Sequence, residues 1–478
     1  LIHFEESSQL SELVTDGNFS GIIYELQGSD QNEVETFDVQ VEQIPQPDRD
    51  KIRSVLNNTH RGRALLSSPQ AVSGLLDSSQ RKELAHLLLD SVLEAHPNTQ
   101  LKWSDFQSWA RGIGELFKKE SPVIYYAAYI AGGPFQAKRN ASGILYNTYL
   151  RKRKNLIKRN VTTPFRKRRA TSDSSDLSDV EPARPTCPLI DLSIIDEIES
   201  DRVEDASLAI TVAVEGATPW TEIAKLWAIT AKARLQKLYN EKGTLQDYLD
   251  EYQILKGPNG YKLLLEDFDR LYPATGADIL RNSIHNICGN IIDKGKTLLA
   301  STKNQFLKLA LTELLTASID EDSENAKLDV SLLLLPLLMN ITPLKGRGLT
   351  KTSKAVIRDN FILRVPSGAN LESRLADHRE MLRVWKITFQ PIVVYIGESV
   401  TSIEKCYVVV EDTRYELPSL VAAVDVAFKI FQATAAEYPI LAHDIWLFIQ
   451  KGFYNIETRY DRISHSVKTF LVDLGLKE

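Results

Sequence analysis

The chain has 478 residues, of which 43% are hydrophobic and 25% are charged, and its net charge is −6. This composition is ordinary for a globular protein and excludes a chain dominated by disorder. The three cysteines, Cys187, Cys288 and Cys406, lie too far apart in sequence for a disulfide scaffold or a zinc ribbon, so we expect a reducing compartment.

The N-terminal part divides into a tail and a helical domain. Residues 1–45 are acidic and predict a weakly ordered tail, and residues 46–159 predict a helical domain. Within this domain Asp77 and Ser78 are placed to cap a helix that Pro97 would end. The apolar positions of this helix recur with a period near 3.6, and they are Leu84, Leu87, Leu88, Val92 and Leu93.

Residues 160–204 predict a linker that is first basic and then acidic. Ten of the nineteen residues from Arg151 to Arg169 are Lys or Arg, and the stretch from Ala170 to Asp205 has eleven acidic residues and two arginines. Such charge blocks are solvated and typical of linkers and interaction tails.

The rest of the chain predicts a second helical domain at residues 205–345 and a small α+β domain at residues 346–478. The longest apolar run, residues 331–341, is interrupted by Pro336 and is shorter than the ~18 residues that a membrane span needs, so it predicts a buried helix. Strands are predicted at residues 361–365, 388–396 and 405–410 from their β-branched and aromatic residues. The predicted fold class is mainly α, with two helical domains before an α+β domain.

Dispersed positions over roughly residues 50–475 form a recognisable pattern. They include residues 61–66, 81–84, 117–121, 141–146, 333–338 and 422–425, Tyr438-Pro439 and Trp446. The pattern resembles that of a large group of uncharacterised animal proteins labelled SAM-domain-containing-protein-like. The group offers no known activity to carry over to this chain, and its multi-copy distribution implies a history linked to mobile elements. No SAM domain is evident in this sequence.

Two basic clusters carry the clearest functional signal. They are Arg151, Lys152, Arg153 and Lys154, then, after eleven residues, Arg166, Lys167, Arg168 and Arg169. This spacing predicts a bipartite nuclear import signal, in which extended chain places two sets of cations on an import receptor. The same cations could contact the phosphates of DNA or RNA, and a solvated linker without a receptor is the simplest alternative.

Aromatic residues and serines adjoin these clusters. Tyr146, Tyr149 and Phe165 could stack on single-stranded bases, although such tyrosines are more often core residues. Ser172, Ser175 and Ser178 precede or follow acidic residues and are candidate phosphorylation sites. Phosphates there would mask the basic cluster electrostatically.

Enzymatic chemistry has weaker signals. Residues 289–297 are one residue too long for a P-loop and lie in a helical pattern, and the histidines show no metal-ligand spacing. Asp425 with Lys429 could be a catalytic pair but more simply predicts an i,i+4 ion pair. Four acids could hold a divalent cation in a nuclease-like site: Glu266, Asp267, Asp269 and Asp278.

The favoured function is therefore a nuclear, or otherwise cytoplasmic, protein that binds macromolecules and has no enzymatic activity, cofactor or metal. The expected partners are a nuclear import receptor, DNA or RNA, and other proteins, with no membrane. One alternative is an active or decayed enzyme of mobile-element origin that uses metal-binding carboxylates. A third hypothesis is a scaffold whose acidic and basic segments pair with each other or with partner subunits.

Overall fold

The structure is a computed structural model that describes residues 49–130, 140–162, 192–240, 244–320, 323–341, 353–458, 461 and 463–476. The predicted acidic tail, the second basic cluster Arg166–Arg169 and the three candidate phosphorylation sites lie outside these residues. What the sequence predicts for these residues therefore remains a prediction.

Seven helices form the N-terminal part of the described chain. They are α1 (Arg49–Asn57), α2 (His60–Leu66), α3 (Pro69–Ser73), α4 (Ser78–Leu93), α5 (Trp103–Leu116), α6 (Pro122–Tyr125) and α7 (Ile144–Lys158). The Asp77 carboxylate accepts the N–H groups of Ser79 and Gln80, and the Gln80 side chain accepts the N–H of Asp77. This capping box fixes the start of α4 where the sequence predicts it.

Seven further α-helices form the middle of the described chain. They are α8 (Ser200–Val212), α9 (Trp220–Asn240), α10 (Leu245–Glu251), α11 (Gly260–Leu271), α12 (Ile279–Ser301), α13 (Gln305–Asp320) and α14 (Glu324–Leu338). The apolar run at residues 331–341 supplies the second half of α14, which is buried from Val330 to Leu337, with Pro336 inside the helix. The prediction of a buried core helix there is confirmed.

The C-terminal part combines helices with a sheet. Its elements are α15 (Lys354–Phe361), β1 (Ile362–Val365), α16 (Leu371–Val384), β2 (Ile392–Ile396), β3 (Lys405–Val410), β4 (Thr413–Leu417), α17 (Leu420–Thr434), α18 (His443–Gly452) and α19 (His465–Asp473). The sheet order is β1-β2-β3-β4, with β1 parallel to β2 and the other neighbours antiparallel. Three of these strands match the predicted ones, and β4 was not predicted.

The two faces of the sheet pack on different helices. Val393, Tyr395 and Val408 enter the large core that also contains α17. The alternate residues of the strands, including Leu363 and Val394, pack with Leu375 of α16 in a separate cluster. Since α16 connects the parallel strands β1 and β2, this part of the chain is a βαβ unit followed by a hairpin.

One hydrophobic core joins the middle helices to the C-terminal part. It contains buried residues from Ile210 to Leu474 and therefore includes side chains on each side of the predicted boundary at residue 345. The division of the chain into domains at residues 159, 204 and 345 remains a prediction. The predicted fold class, mainly α with a small α+β C-terminal part, is confirmed.

No helix among the described residues combines the length and the apolar character that crossing a membrane requires.

The end of α17 offers a test of the backbone geometry. Ala435 caps this helix with φ 49° and ψ 30°, a left-handed conformation that disfavours a residue with a Cβ. Replacing Ala435 by Gly should raise the free energy of unfolding by roughly 0.5–1 kcal/mol, because relief of this conformation outweighs the added freedom of the unfolded chain. Chemical denaturation measures the change.

Ala436→Gly is the matched control. Ala436 does not have a positive φ and packs on the large core, so the same substitution should lower stability there. Equal losses of stability in the two variants would contradict the assignment of Ala435.

Candidate nucleic-acid interface

The helix α7 carries the first basic cluster and begins after Gly143. Gly143 has φ 119°, and a Cβ on it would lie 2.4 Å from the carbonyl oxygen of Tyr125, so this close approach requires glycine. The buried side chains of Leu145 and Tyr149 then enter the core of the N-terminal helices. The position of α7 is therefore set by its apolar side.

The four residues of the first basic cluster point in two directions. Lys152 forms an ion pair with Asp90 of α4. Arg153 is 4% exposed, and its Nη1 donates to the carbonyl oxygen of Thr99 at 3.2 Å. These two cations hold α7 against the N-terminal helices, whereas Arg151 and Lys154 are exposed.

Three exposed cations line the outer side of α7. Arg151, Lys154 and Lys158 are spaced by three and four residues, so they share one side of the helix over about 10 Å. Lys158 was not among the predicted site residues, although its distance of four residues from Lys154 was a usable signal. We call these three residues the basic face of α7.

The pKa of His86 on α4 is affected by the positive charges of α7. Arg151 Nη2 donates to Nε2 of His86 at 3.1 Å. Burial lowers the pKa of His86, and the charges of Lys152 and Arg151 lower it further, while Asp90 acts in the opposite direction. This environment favours the neutral imidazole, whose unprotonated ring nitrogen can accept from Arg151.

The neighbouring tyrosines have structural contacts. Tyr149 is 3% exposed, and its ring packs at 5.4 Å from that of Phe106. The Tyr146 ring lies 5.6 Å from Phe106 in an edge contact and is half-buried. Phe165 lies outside the described residues. The two tyrosines of α7 both pack against Phe106, and only Tyr149 is fully committed to the core.

Comparison of the chain with protein-family models, with curated proteins and with solved structures finds no match. The resemblance to SAM-domain-containing-protein-like proteins remains a prediction.

The carboxylates of the alternative metal site are not brought together. The side chains of Asp267 and Arg234 are each 1% exposed and form an ion pair of 3.0 Å, and Glu266 pairs with Arg270. Asp269 and Asp278 are exposed. Within the described ranges, no group of three or more His, Cys, Asp or Glu side chains is arranged to hold a metal ion.

The structure also shows where the other two candidate chemical motifs lie. Residues 289–297 lie inside α12, in agreement with the helical pattern. Lys429 Nζ lies 2.8 Å from the Asp425 carboxylate, so these residues form the predicted i,i+4 ion pair. Asp425 also accepts the hydroxyl of Tyr454.

The role of Asp267 can be tested by substitution. Asp267→Asn leaves the guanidinium of Arg234 without its counter-charge in a buried site and should lower the free energy of unfolding by about 3–5 kcal/mol. The exposed control Asp269→Asn, two residues away, should change it by less than about 0.5 kcal/mol. A stability of the unchanged chain that rises with added Mg²⁺ or Mn²⁺ and loses this response in Asp267→Asn would instead support the metal site.

Proposed function

We propose that the protein is a nuclear macromolecule-binding protein without enzymatic activity, and that the basic face of α7 contacts the phosphate backbone of nucleic acids. The observation that carries the proposal is the division of the basic cluster. Lys152 and Arg153 fix α7 to the scaffold, so the cations of the basic face are presented by a rigid element and not by a free tail.

The geometry favours backbone contact over base recognition. Cations in a row neutralise phosphates without reading the sequence of bases. The aromatic ring of Tyr149 is buried beside Phe106 and cannot stack on a base without leaving the core. We therefore expect binding that is sequence-independent and that accepts a duplex.

We also propose nuclear import through Arg151–Lys154 and Arg166–Arg169. An import receptor binds extended chain, whereas residues 151–154 lie within α7. Two of them are also bound within the protein, Lys152 to Asp90 and Arg153 to Thr99. Import through the first cluster would thus require local unwinding, which makes Arg166–Arg169 the principal determinant in this proposal. The enzyme alternative has less support, because Asp267 is committed to Arg234.

The first test is binding of the purified chain to labelled duplex DNA over a salt series. Changing Arg151, Lys154 and Lys158 together to alanine should weaken binding for every sequence. Since each lost phosphate contact lowers the slope of log affinity against log salt by about 0.9, loss of three contacts should reduce the slope by about 2 to 3. Fluorescence anisotropy measures the affinity and its slope.

A control variant removes three exposed lysines from other helices. Lys225, Lys262 and Lys308 lie on α9, α11 and α13, and their change to alanine alters the net charge equally. This control should keep the salt slope. No binding at low salt, or an equal loss in the control, would contradict nucleic-acid contact through α7.

Import is tested with fluorescent fusions of the full chain in cells. Changing Arg166–Arg169 to alanine should reduce nuclear accumulation, and the additional change of Arg151 and Lys154 should abolish it. The variant with only Arg151 and Lys154 changed loses two cations of the basic face but keeps Arg166–Arg169. It therefore shows whether import depends on the residues proposed to contact nucleic acid. Unchanged nuclear accumulation of the combined variant would remove the import proposal.

A further inference from the structure

A groove of about 690 Å³ lies between α16 and the hairpin of β3 and β4. It is remote in sequence from the basic face of α7. Its floor is apolar and is formed by side chains of α16, the segment after it and β3, namely Leu375, Leu382, Ile387, Phe389 and Val409. Its volume lies within the range of ligand-binding clefts, and charged side chains border its apolar floor.

The rim of the groove has three arginines, each with a carboxylate partner. Arg379 Nη1 lies 3.1 Å from Asp412, and Arg383 Nε lies 2.6 Å from Glu380. Arg414 pairs with Glu372. Because every rim arginine already has a counter-charge, the groove has little attraction for an anion.

Glu411 is the remaining acid that lines the groove. Its carboxylate has no ion pair within the described part of the chain, although the guanidinium of Arg379 donates to its carbonyl oxygen. Burial raises the pKa of the Glu411 carboxyl, Arg379 lowers it and Asp412 raises it. Of the four acids that line the groove, Glu411 is thus the one that carries, when deprotonated, a half-buried negative charge without a paired arginine.

We propose that this groove binds the side chain of a lysine or arginine from a basic protein partner, with Glu411 as the carboxylate that receives the cation. Three paired arginines and four acids leave one negative charge, so the charge of the groove complements a cation. The methylene stem of lysine or arginine would lie on the apolar floor. A cation placed beside a half-buried carboxylate is attracted more strongly than one on an open surface.

Phe389 adds a geometric preference to the site. The guanidinium of Arg379 lies 4.7 Å from the centre of the Phe389 ring and covers one face of it. Leu382 and Ile387 line the same groove as this stacked pair, so an aliphatic stem bound there would have apolar surface to contact. The site thus selects a cation on an aliphatic stem and not a bare metal ion.

The experiment is methyl NMR of the full chain, because the groove is lined by leucine, isoleucine and valine methyl groups. The probes are a capped Ala-Lys-Ala peptide and a capped Ala-norleucine-Ala peptide, which has a similar stem without the ammonium. The lysine peptide should shift the methyl signals of Leu382, Ile387 and Val409, and the norleucine peptide should not. Equal shifts with norleucine, or no shifts with lysine, would overturn the proposal.

Free n-butylamine distinguishes a protein partner from a small amine. It has the same ammonium and stem but lacks the peptide backbone. Weaker shifts than those of the lysine peptide support a protein partner. Shifts of equal size at equal concentration would assign the groove to small amines and overturn the protein-partner class.

Variants at Glu411 separate loss of the carboxylate from loss of the fold. Glu411→Gln should abolish the lysine-dependent shifts, whereas the control Glu398→Gln, an exposed acid outside the groove, should keep them. Glu411 has φ 48° in the hairpin turn, so Glu411→Gly should raise the melting temperature while it abolishes the shifts. Retained shifts in the two Glu411 variants would exclude this residue as the anchor.

Discussion

The structure depends on a buried guanidinium where the N-terminal helices meet the last helix, α19. Arg81 of α4 is fully buried, donates to Glu120 at 2.9 Å and lies 2.7 Å from Asp473 at the end of α19. The hydroxyl of Tyr125 donates to the same Glu120 carboxylate at 2.9 Å. Burial by itself lowers the pKa of Arg81, but the carboxylates of Glu120 and Asp473 outweigh it and raise the pKa. The charge is thus retained inside the protein.

This junction also fixes the helix on which α7 rests. α19 packs against α6, and its Val472 contacts the core of the N-terminal helices. Arg81 anchors the first turn of α4, and Asp90, nine residues later, holds Lys152 of α7. The position of the basic face is therefore linked through α4 to the C-terminal helix. A second buried arginine, Arg234, joins two of the middle helices in the same way, because it lies on α9 and pairs with Asp267 of α11.

Local signals in the sequence predicted helices well because their causes are local. Asp77 caps α4, and the period of its leucines matches its buried side. The strand β4 was not predicted, although its sequence carries a usable signal: the exposed Arg414 and Glu416 alternate with buried neighbours, which is the period-two pattern of a half-buried strand. Its place follows from pairing with β3, which brings Tyr415 opposite Val408 in the large core.

The candidate sites were predictable to different degrees. A run of four cations does not show which two face the protein, but helical spacing from Leu145 and Tyr149 places residues 152 and 153 on the inner side. The groove at Glu411 could not be predicted, because α16 and the hairpin that border it are separated by β2. The charge of Glu411 is uncompensated because the three arginines of the groove pair with other acids. Those pairs join residues that only the fold or the helix geometry brings together.

The two proposed surfaces should respond differently to salt. The basic face of α7 consists of exposed cations, whose attraction to phosphates is screened over about 8 Å at physiological ionic strength. Glu411 is half-buried over an apolar floor, where water and salt ions screen the charge less and where burial of the stem adds a salt-insensitive contribution. Nucleic acid should therefore dissociate at salt concentrations that a basic partner in the groove withstands. This difference in screening would let the chain exchange nucleic acid while a protein partner stays bound.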